Sequence, residues 1–322
     1  MRHVITGGAG FTGTYMASAL ARRGEKVVIF DLDEPLATNN SVAFVRGDVR
    51  QHRDLRKLHL QRDDVVYHLA ARQFHRGVPH RNRDEWFADV NVNGTRCLLD
   101  AISAGSTQRL VFFSTDMTYG KPDHTPVNPT DMQRPIGPYG RSKVGAERLL
   151  MQACREFGLH ATIFRPRLIA GAGRLGILTK LFRLIRAGLP IPLIGTGKNR
   201  YQMIAVEDCV SAALAAVERN CPLGPFHLGS CEPPTVKELL RELVRRASSR
   251  SILLPIPAVI LKPALSLLDR AALTLLYPEQ FAIANIDYVL NTGGTTEYLG
   301  WTASKSDMDI IFEAYTGFLK SS

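Results

Sequence analysis

The chain has 322 residues, 45% of them hydrophobic and 22% charged, and a formal net charge of +10. That balance excludes wholesale disorder and supplies enough apolar side chain for a sizeable core, at a length that suits two closely joined domains. The excess of Lys and Arg suits anionic lipid, a phosphorylated small molecule or simply a basic surface; it is scattered, with no run interleaved with aromatics, and so does not suit nucleic acid.

From the N-terminus, an apolar strand over 3–6 turns at Gly7, which leaves no room for the apolar region of a signal sequence. A helix over 11–23, ended by Gly24, precedes strands over 26–30 and 42–45. A helical stretch over 55–60 leads to a strand over 65–69, and a long helix over 86–104 to a strand over 109–113. A helix over 139–157, closed by Gly158, leads to a strand over 161–164. Strands alternating with helices predict an α/β fold, a doubly wound parallel sheet of the Rossmann, dinucleotide-binding type. After Arg165, Gly and Pro become frequent, a helix over 206–219 returns to the sheet layer, and from Ser230 the pattern is mostly helical. These shifts predict a dinucleotide-binding domain, 1–165 plus about 201–227, and a smaller substrate-binding part at about 166–200 and 228–322.

Cys97, Cys154, Cys209, Cys221 and Cys231 form no CxxC pair and have no His cluster at zinc-ligand spacing, so no metal is expected. Their odd number and wide spacing suit reduced thiols in a cytoplasmic protein. The segment 251–277 is rich in Leu, Ile and Ala, but Pro255, Pro257, Lys262, Pro263, Asp269 and Arg270 interrupt it. Its charge-free stretches are too short to span a bilayer, so it reads as a helix or lid of the substrate-binding part, with an interfacial amphipathic helix as the alternative.

Thr6-Gly7-Gly8-Ala9-Gly10-Phe11-Thr12-Gly13 joins the first strand to the first helix. Gly7 permits a tight turn, Gly10 lets the backbone approach a pyrophosphate, and Gly13 lets the helix pack on the strand. The amides of Phe11, Thr12 and Gly13 then open the helix toward the phosphates. Asp31 follows at the end of the second strand, 18 residues after Gly13. A carboxylate there accepts hydrogen bonds from the ribose hydroxyls and repels a 2′-phosphate, which favours NAD over NADP.

The sequence TGGAGFTG resembles the TGxxGxxG signature of extended short-chain dehydrogenases, the nucleotide-sugar epimerase and dehydratase family. Gly47-Asp48-Val49 resembles the element that meets the adenine, and the resemblance implies Asp48 and Val49 as cofactor contacts. Tyr67-His68-Leu69-Ala70-Ala71 is similar to the family's HLAA strand end, which implies Leu69, Ala70 and Ala71 along the cofactor. Asn91-Val92-Asn93-Gly94-Thr95 matches an NVxGT motif in which the first Asn, Asn91, steadies the central strands. Phe164-Arg165-Pro166 resembles an LRP strand end and puts Arg165 beside the cofactor; Gly300-Trp301 resembles a common LGW. The match is continuous to about residue 215 and patchy beyond it.

Tyr139-Gly140-Arg141-Ser142-Lys143 is YxxxK at a helix start, and residues four apart share a helix face. A nearby Lys143 cation favours the phenolate of Tyr139, a poor base at its free pKa of about 10. Tyr139 would then remove or return a substrate hydroxyl proton while hydride moves to or from nicotinamide, and Lys143 could also hold the nicotinamide ribose. The segment 113–120 resembles the family's S-[ST]-x-x-V-Y-G stretch, which implies Thr115 as the catalytic hydroxyl, Ser114 as a cofactor contact and Tyr119 as a substrate contact. The family's 4,6-dehydratases carry Asp-Glu after that Thr, whereas this chain has Asp116 and Met117, and a thioether abstracts no proton. Asp116 remains as a substrate contact or acid, or as a loop cap.

The Asn that many nucleotide-sugar enzymes place after the LRP strand is absent from Arg167-Leu168-Ile169. Gly195-Thr196-Gly197-Lys198-Asn199-Arg200 before Val206-Glu207-Asp208 resembles a GxGxxxR…VxD block, which implies Arg200 as a ligand of the substrate diphosphate, with a domain-joining ion pair as the alternative. The sequence therefore reads as a nucleotide-sugar epimerase with a transient keto intermediate. The alternatives are a 3β-hydroxysteroid-dehydrogenase-like oxidoreductase on a bulky apolar alcohol or ketone, a 4,6-dehydratase, and a non-catalytic NAD-binding protein. The resemblance also implies a homodimer through the helices 86–104 and 139–157.

Overall fold

The computed structural model describes residues 1–35, 41–74, 77–173 and 177–320. Its first half runs β1 (Arg2–Thr6), α1 (Phe11–Arg22), β2 (Lys26–Asp31), β3 (Val42–Arg46), α2 (His52–Leu55), β4 (Val65–His68), α3 (Arg83–Ala88), α4 (Thr95–Ala104), β5 (Arg109–Phe113), α5 (Pro138–Phe157) and β6 (His160–Pro166). The second half runs β7 (Leu168–Ala170), α6 (Ile177–Arg186), β8 (Ile191–Ile194), β9 (Met203–Ala205), α7 (Val206–Glu218), β10 (Phe226–Leu228), α8 (Val236–Arg246), β11 (Leu253–Ile256), α9 (Ala258–Arg270), α10 (Pro278–Ala282), α11 (Gly293–Leu299) and α12 (Asp307–Lys320).

Seven strands form one parallel sheet in the order β3-β2-β1-β4-β5-β6-β10. This is the expected doubly wound Rossmann sheet, extended by one strand. Alternation along each strand sends neighbouring side chains to opposite faces. Ile5, Val65, Tyr67, Val111 and Phe113 pack under α1 and α7 in one apolar cluster. Val4, Val66, Leu110 and Phe112 join α4 and α5 in the other. A third cluster joins Leu178, Phe182, Ile191, Leu193, Leu240 and Ile311, away from the sheet. Leu299 and Trp301 belong to the first sheet cluster although they lie within the 228–322 span of the expected smaller part.

The helix expected over 86–104 starts earlier and is not uniform: a π-helical turn, Asp89–Gly94, separates α3 from α4. Asn91 sits in that wide turn, which is where π-turns often serve a site. The short pairs β7–β9 and β8–β11 were not anticipated, because three- and four-residue strands carry too little periodicity to read.

Candidate active site

The expected site residues gather at the C-terminal edge of the sheet, where β1 and β4 lie side by side and the strand order reverses. In doubly wound folds that crevice binds ligand. Gly7 follows β1 at φ +73°, and a Cβ there would fall 2.5 Å from the Ala70 amide nitrogen at the end of β4. A Cβ on Gly13 would fall 2.5 Å from the Gly7 carbonyl oxygen. Only glycine fits either place, and the two together bring the start of α1 down onto the strand end. Gly10 precedes the first turn of α1, which contains no acidic residue, so the amides of Phe11, Thr12 and Gly13 meet no local carboxylate.

Asp31 ends β2 and accepts hydrogen bonds from the Ala9 amide at 3.0 Å and the Leu32 amide at 2.7 Å, which aims its carboxylate at the glycine loop. Asp48 is held by Arg50, at 2.6 Å from Nη2, and that guanidinium keeps its carboxyl below the usual range. Val49 beside it is buried. Leu69, Ala70 and Ala71 continue from β4 along the same edge. Asn91 accepts from the Arg72 amide at 2.8 Å and donates to Ser142 Oγ at 2.9 Å, so it ties the β4 end to α5. Behind it Thr95 donates its only proton to the Asn91 carbonyl, so its oxygen accepts from His68 Nε2 at 2.9 Å. Burial lowers the His68 pKa to about 3, which makes this imidazole neutral, with Nδ1 accepting from Thr6 at 2.7 Å.

Pro138 starts α5, so Tyr139 lies in its first turn and Lys143 one turn further on the same face, both buried. Phe74 and Phe87 pack on the Tyr139 ring, with centroids 5.3 and 5.7 Å away. Lys143 Nζ lies 4.4 Å from the centroid of Phe112. Burial lowers its pKa from 10.5 to about 7, against the opposing pull of Glu147. Thr115 and Tyr139 line one cavity of about 540 Å³ together with Thr12, Ser114, Asp116 and Met117.

Among the expected residues, Arg165, Tyr119 and Arg200 are engaged elsewhere and do not line that cavity. Arg165 is buried in an ion pair with Glu147, with Nη2 2.6 Å from Oε2 and Nε 3.0 Å from Oε1. Tyr119 is buried with its hydroxyl on Arg165 and 2.7 Å from His227 Nε2. Ser114, which does line the cavity, gives its hydroxyl to Glu147. Arg165 and Tyr119 thus form a polar core beneath the site, where a low dielectric makes paired charges hold each other tightly. Arg200 is half-exposed and paired with Asp287, its backbone amide at 2.6 Å and Nη2 at 3.4 Å. In a G-x-G-x-x-x-R pattern counted from Gly195 the seventh place is Tyr201, and successive residues of an extended chain face opposite ways. Tyr201 lines the cavity, and Arg200 makes the alternative ion pair.

Two site residues escaped the sequence. Arg167 is buried, donates from Nη1 to Asp116 Oδ2, and lies between the rings of Tyr288 and Tyr201, 4.0 and 4.4 Å from their centroids. Asp116 Oδ1 accepts from Thr115 at 3.1 Å, so both carboxylate oxygens are occupied. Glu279, in α10, presses its carboxylate against Gly137 at the N-terminus of α5, where the amides of Tyr139 and Gly140 stabilise its charge. Burial nevertheless raises its pKa to about 7. Neither residue sits in a motif, and no local pattern marks them.

The profile of the NAD dependent epimerase/dehydratase family matches residues 3–226. UDP-glucose 4-epimerase of Streptomyces lividans is 29% identical over 98% of this chain and 95% of its own length. The dTDP-D-glucose 4,6-dehydratase of Mus musculus is 24% identical over 76% of this chain and 72% of its own. The solved structure of UDP-glucose 4-epimerase with UDP-glucose from Thermotoga maritima superposes with a TM-score of 0.79, at 24% identity, over 100% of this chain and 99% of that one.

Proposed function

Because the chain belongs to the NAD dependent epimerase/dehydratase family, we propose that it is an epimerase that inverts a secondary alcohol of a nucleotide sugar through a transient ketone. NAD is the cofactor of this family, and the residues fit it: Gly7 and Gly13 let the start of α1 pack against the end of β1 and the Ala70 backbone, closer than any Cβ would allow, which sets the first amides of α1 at the sheet edge. The amides of Phe11, Thr12 and Gly13 would hold the pyrophosphate, Asp31 the adenosine ribose, and Lys143 the nicotinamide ribose. Bound there, NAD supplies the hydride acceptor and, later in the same turnover, the donor. Tyr139 takes the substrate hydroxyl proton and returns it after inversion, Lys143 favours its phenolate, and Thr115 holds the reacting oxygen.

The observation that carries the reaction type is the state of positions 116 and 117. Elimination of water needs a free acid and a free base beside the sugar. Asp116 spends both oxygens on Arg167 and Thr115, and Met117 faces the cavity with a thioether. Oxidation and return of hydride need only Thr115, Tyr139 and Lys143. The nucleotide-sugar substrate is supported by relatives that include a UDP-glucose 4-epimerase and a dTDP-D-glucose 4,6-dehydratase.

A second reading has an observation of its own. Leu178, Leu181, Ile191, Leu193, Leu240 and Ile283 line the cavity beyond the catalytic end, and Leu168 occupies the place of the family's Asn. Lys180 is committed to the carbonyls of Thr274 and Leu275, whereas Arg167 pairs with Asp116 through Nη1 alone and its buried Nε and Nη2 have no hydrogen-bond partner among the described residues. The aliphatic part of that wall suits a bulky apolar alcohol or ketone.

The nicotinamide content of the purified, dialysed protein separates the two. Near-stoichiometric NAD, released on denaturation and identified by mass, is expected of an epimerase that recycles its cofactor. Empty protein that binds added NAD weakly would overturn the epimerase and leave a net dehydrogenase. A homodimer through the stretch from α3 to α4 and through α5 belongs to the first reading, and a monomer mass in sedimentation would remove it.

A further inference from the structure

α9 is apolar on both sides. At 3.6 residues per turn, positions 261, 265 and 268 share one side and 259, 260, 263 and 267 the other. Leu265 is buried, whereas Val259, Ile260 and Leu267 are 82%, 62% and 68% exposed. The turn after α9 adds Leu273 and Leu275, 63% and 51% exposed. A helix with two apolar faces needs cover on both, and among the described residues nothing covers the outer one.

Two further observations say what covers it. The first is charge. The stretches 177–189 and 248–275 carry Lys180, Arg183, Arg186, Arg250, Lys262 and Arg270 against a single acid, Asp269. Asp269 is buried and spent on Arg83, at 2.9 Å from both Nη1 and Nη2. The two stretches are neighbours, since Lys180 Nζ donates to the carbonyls of Thr274 and Leu275 and Ser249 Oγ to that of Ile185. The segments next to the apolar face are therefore basic, with Lys180 and Lys262 turned to backbone carbonyls and Arg183, Arg186, Arg250 and Arg270 remaining. The second is continuity. Leu275 is exposed on that face and also lines the cavity, whose walls beyond it are aliphatic. Leu275 thus joins the surface beside α9 to the cavity that has Thr115 and Tyr139 in its lining.

We propose that the outer face of α9 and the 271–275 turn dock on a lipid bilayer bearing anionic headgroups, and that the cavity takes from it an amphiphile whose hydroxyl or keto group reaches Thr115 and Tyr139. The delivery of an amphiphile rests on the second, apolar-substrate reading above; the docking does not. Among the described residues no helix is long and apolar enough to cross a membrane, so α9 lies in the interface, where aliphatic side chains insert and Lys and Arg meet the headgroups.

Flotation of the full chain with vesicles tests the docking. Vesicles of phosphatidylcholine with a minority of phosphatidylglycerol should carry the protein up, and pure phosphatidylcholine or high salt should carry less. Ile260→Glu and Leu267→Glu, at positions with room for any side chain, should each weaken binding about tenfold or more with NAD content unchanged. Protein that stays behind with both vesicles, or variants that float like the parent, would overturn the docking. So would a sedimentation mass that halves in Leu267→Glu, since a second copy would then be the cover. Uptake of a pyrene-labelled long-chain alcohol from the same vesicles reads the cavity. Docking without uptake overturns delivery and the apolar-substrate reading together; uptake without docking overturns the docking alone.

Discussion

At the scale of single residues, two buried charges decide what the site does. Lys143 has its pKa lowered from 10.5 to about 7 by burial. Between those values the unfolded chain holds a proton that the folded one lacks, so the stability of cofactor-free protein rises with pH across the window, by about 1.4 kcal/mol per unit for one proton. Below about pH 7 both states are protonated and this gain is absent. Denaturant midpoints between pH 7.5 and 9.5 should therefore climb more steeply in the parent than in Lys143→Met; equal slopes would show that the lysine is charged in the folded protein. Asp116 is the second charge. If it only neutralises Arg167, Asp116→Asn leaves a buried cation unpaired and should destabilise by about 3–5 kcal/mol. A variant of parental stability that has lost turnover would instead make Asp116 a proton donor. The glycine loop and the set of Thr115, Tyr139 and Lys143 were legible because each motif is local and its spacing is its geometry. Arg167 was not legible, since its partner lies 51 residues earlier and its flanking tyrosines arrive from the residues before β9 and the stretch before α11. Arg200 was misplaced by one position, which in an extended chain is a change of face.

At the scale of elements, α5 carries the chemistry and its N-terminus is held from outside. Glu279 places a carboxylate on the positive end of that helix, beside the amides of Tyr139 and Gly140. A cap so close to Tyr139 positions it without touching substrate. Burial raises the Glu279 pKa from 4.5 to about 7, so between those values the folded protein binds a proton that the unfolded chain has lost. That contribution to stability is fully present below about pH 4.5 and falls as the pH rises toward 7. Glu279→Gln should remove the decline between pH 5 and 7 and shift the acid limb of the rate profile, with full turnover retained above it. An unchanged limb would leave Glu279 a packing residue. The sheet elements were readable because strands of four to seven residues alternate with helices over most of the first half. The π-turn at Asp89–Gly94 was not, because one extra residue per turn leaves an apolar helical pattern nearly intact.

At the scale of the whole molecule, the catalytic edge of the sheet and the C-terminal helices meet over the cavity, and one ion pair joins them. Arg83, at the start of α3, forms two hydrogen bonds of 2.9 Å with Asp269 of α9, and Thr274 adds a third to the same carboxylate at 2.6 Å. The Arg83 guanidinium also stacks over Tyr277, 5.5 Å from its centroid. Tyr277 packs on Phe74 at 4.9 Å, and Phe74 on Tyr139 at 5.3 Å. A rigid path therefore runs from α9 to the catalytic phenol. Geometry of this kind, bidentate and partly buried, is stronger than an exposed pair, although some solvent screening remains. Asp269→Asn keeps the shape and removes the charge, and should destabilise by about 1–3 kcal/mol. Its sharper effect belongs to substrate: with α9 and the 271–275 turn loosened, KM should rise several-fold while NAD content and the chemical step stay near those of the parent. The cofactor cradle at Gly7 and Gly13 shares no contact with this pair, so cofactor retention separates the two outcomes. Loss of NAD together with substrate affinity would mean that the pair holds the sheet edge itself. A raised KM alone would make the 274–277 stretch, which Asp269 of α9 anchors through Thr274, the movable wall of the cavity.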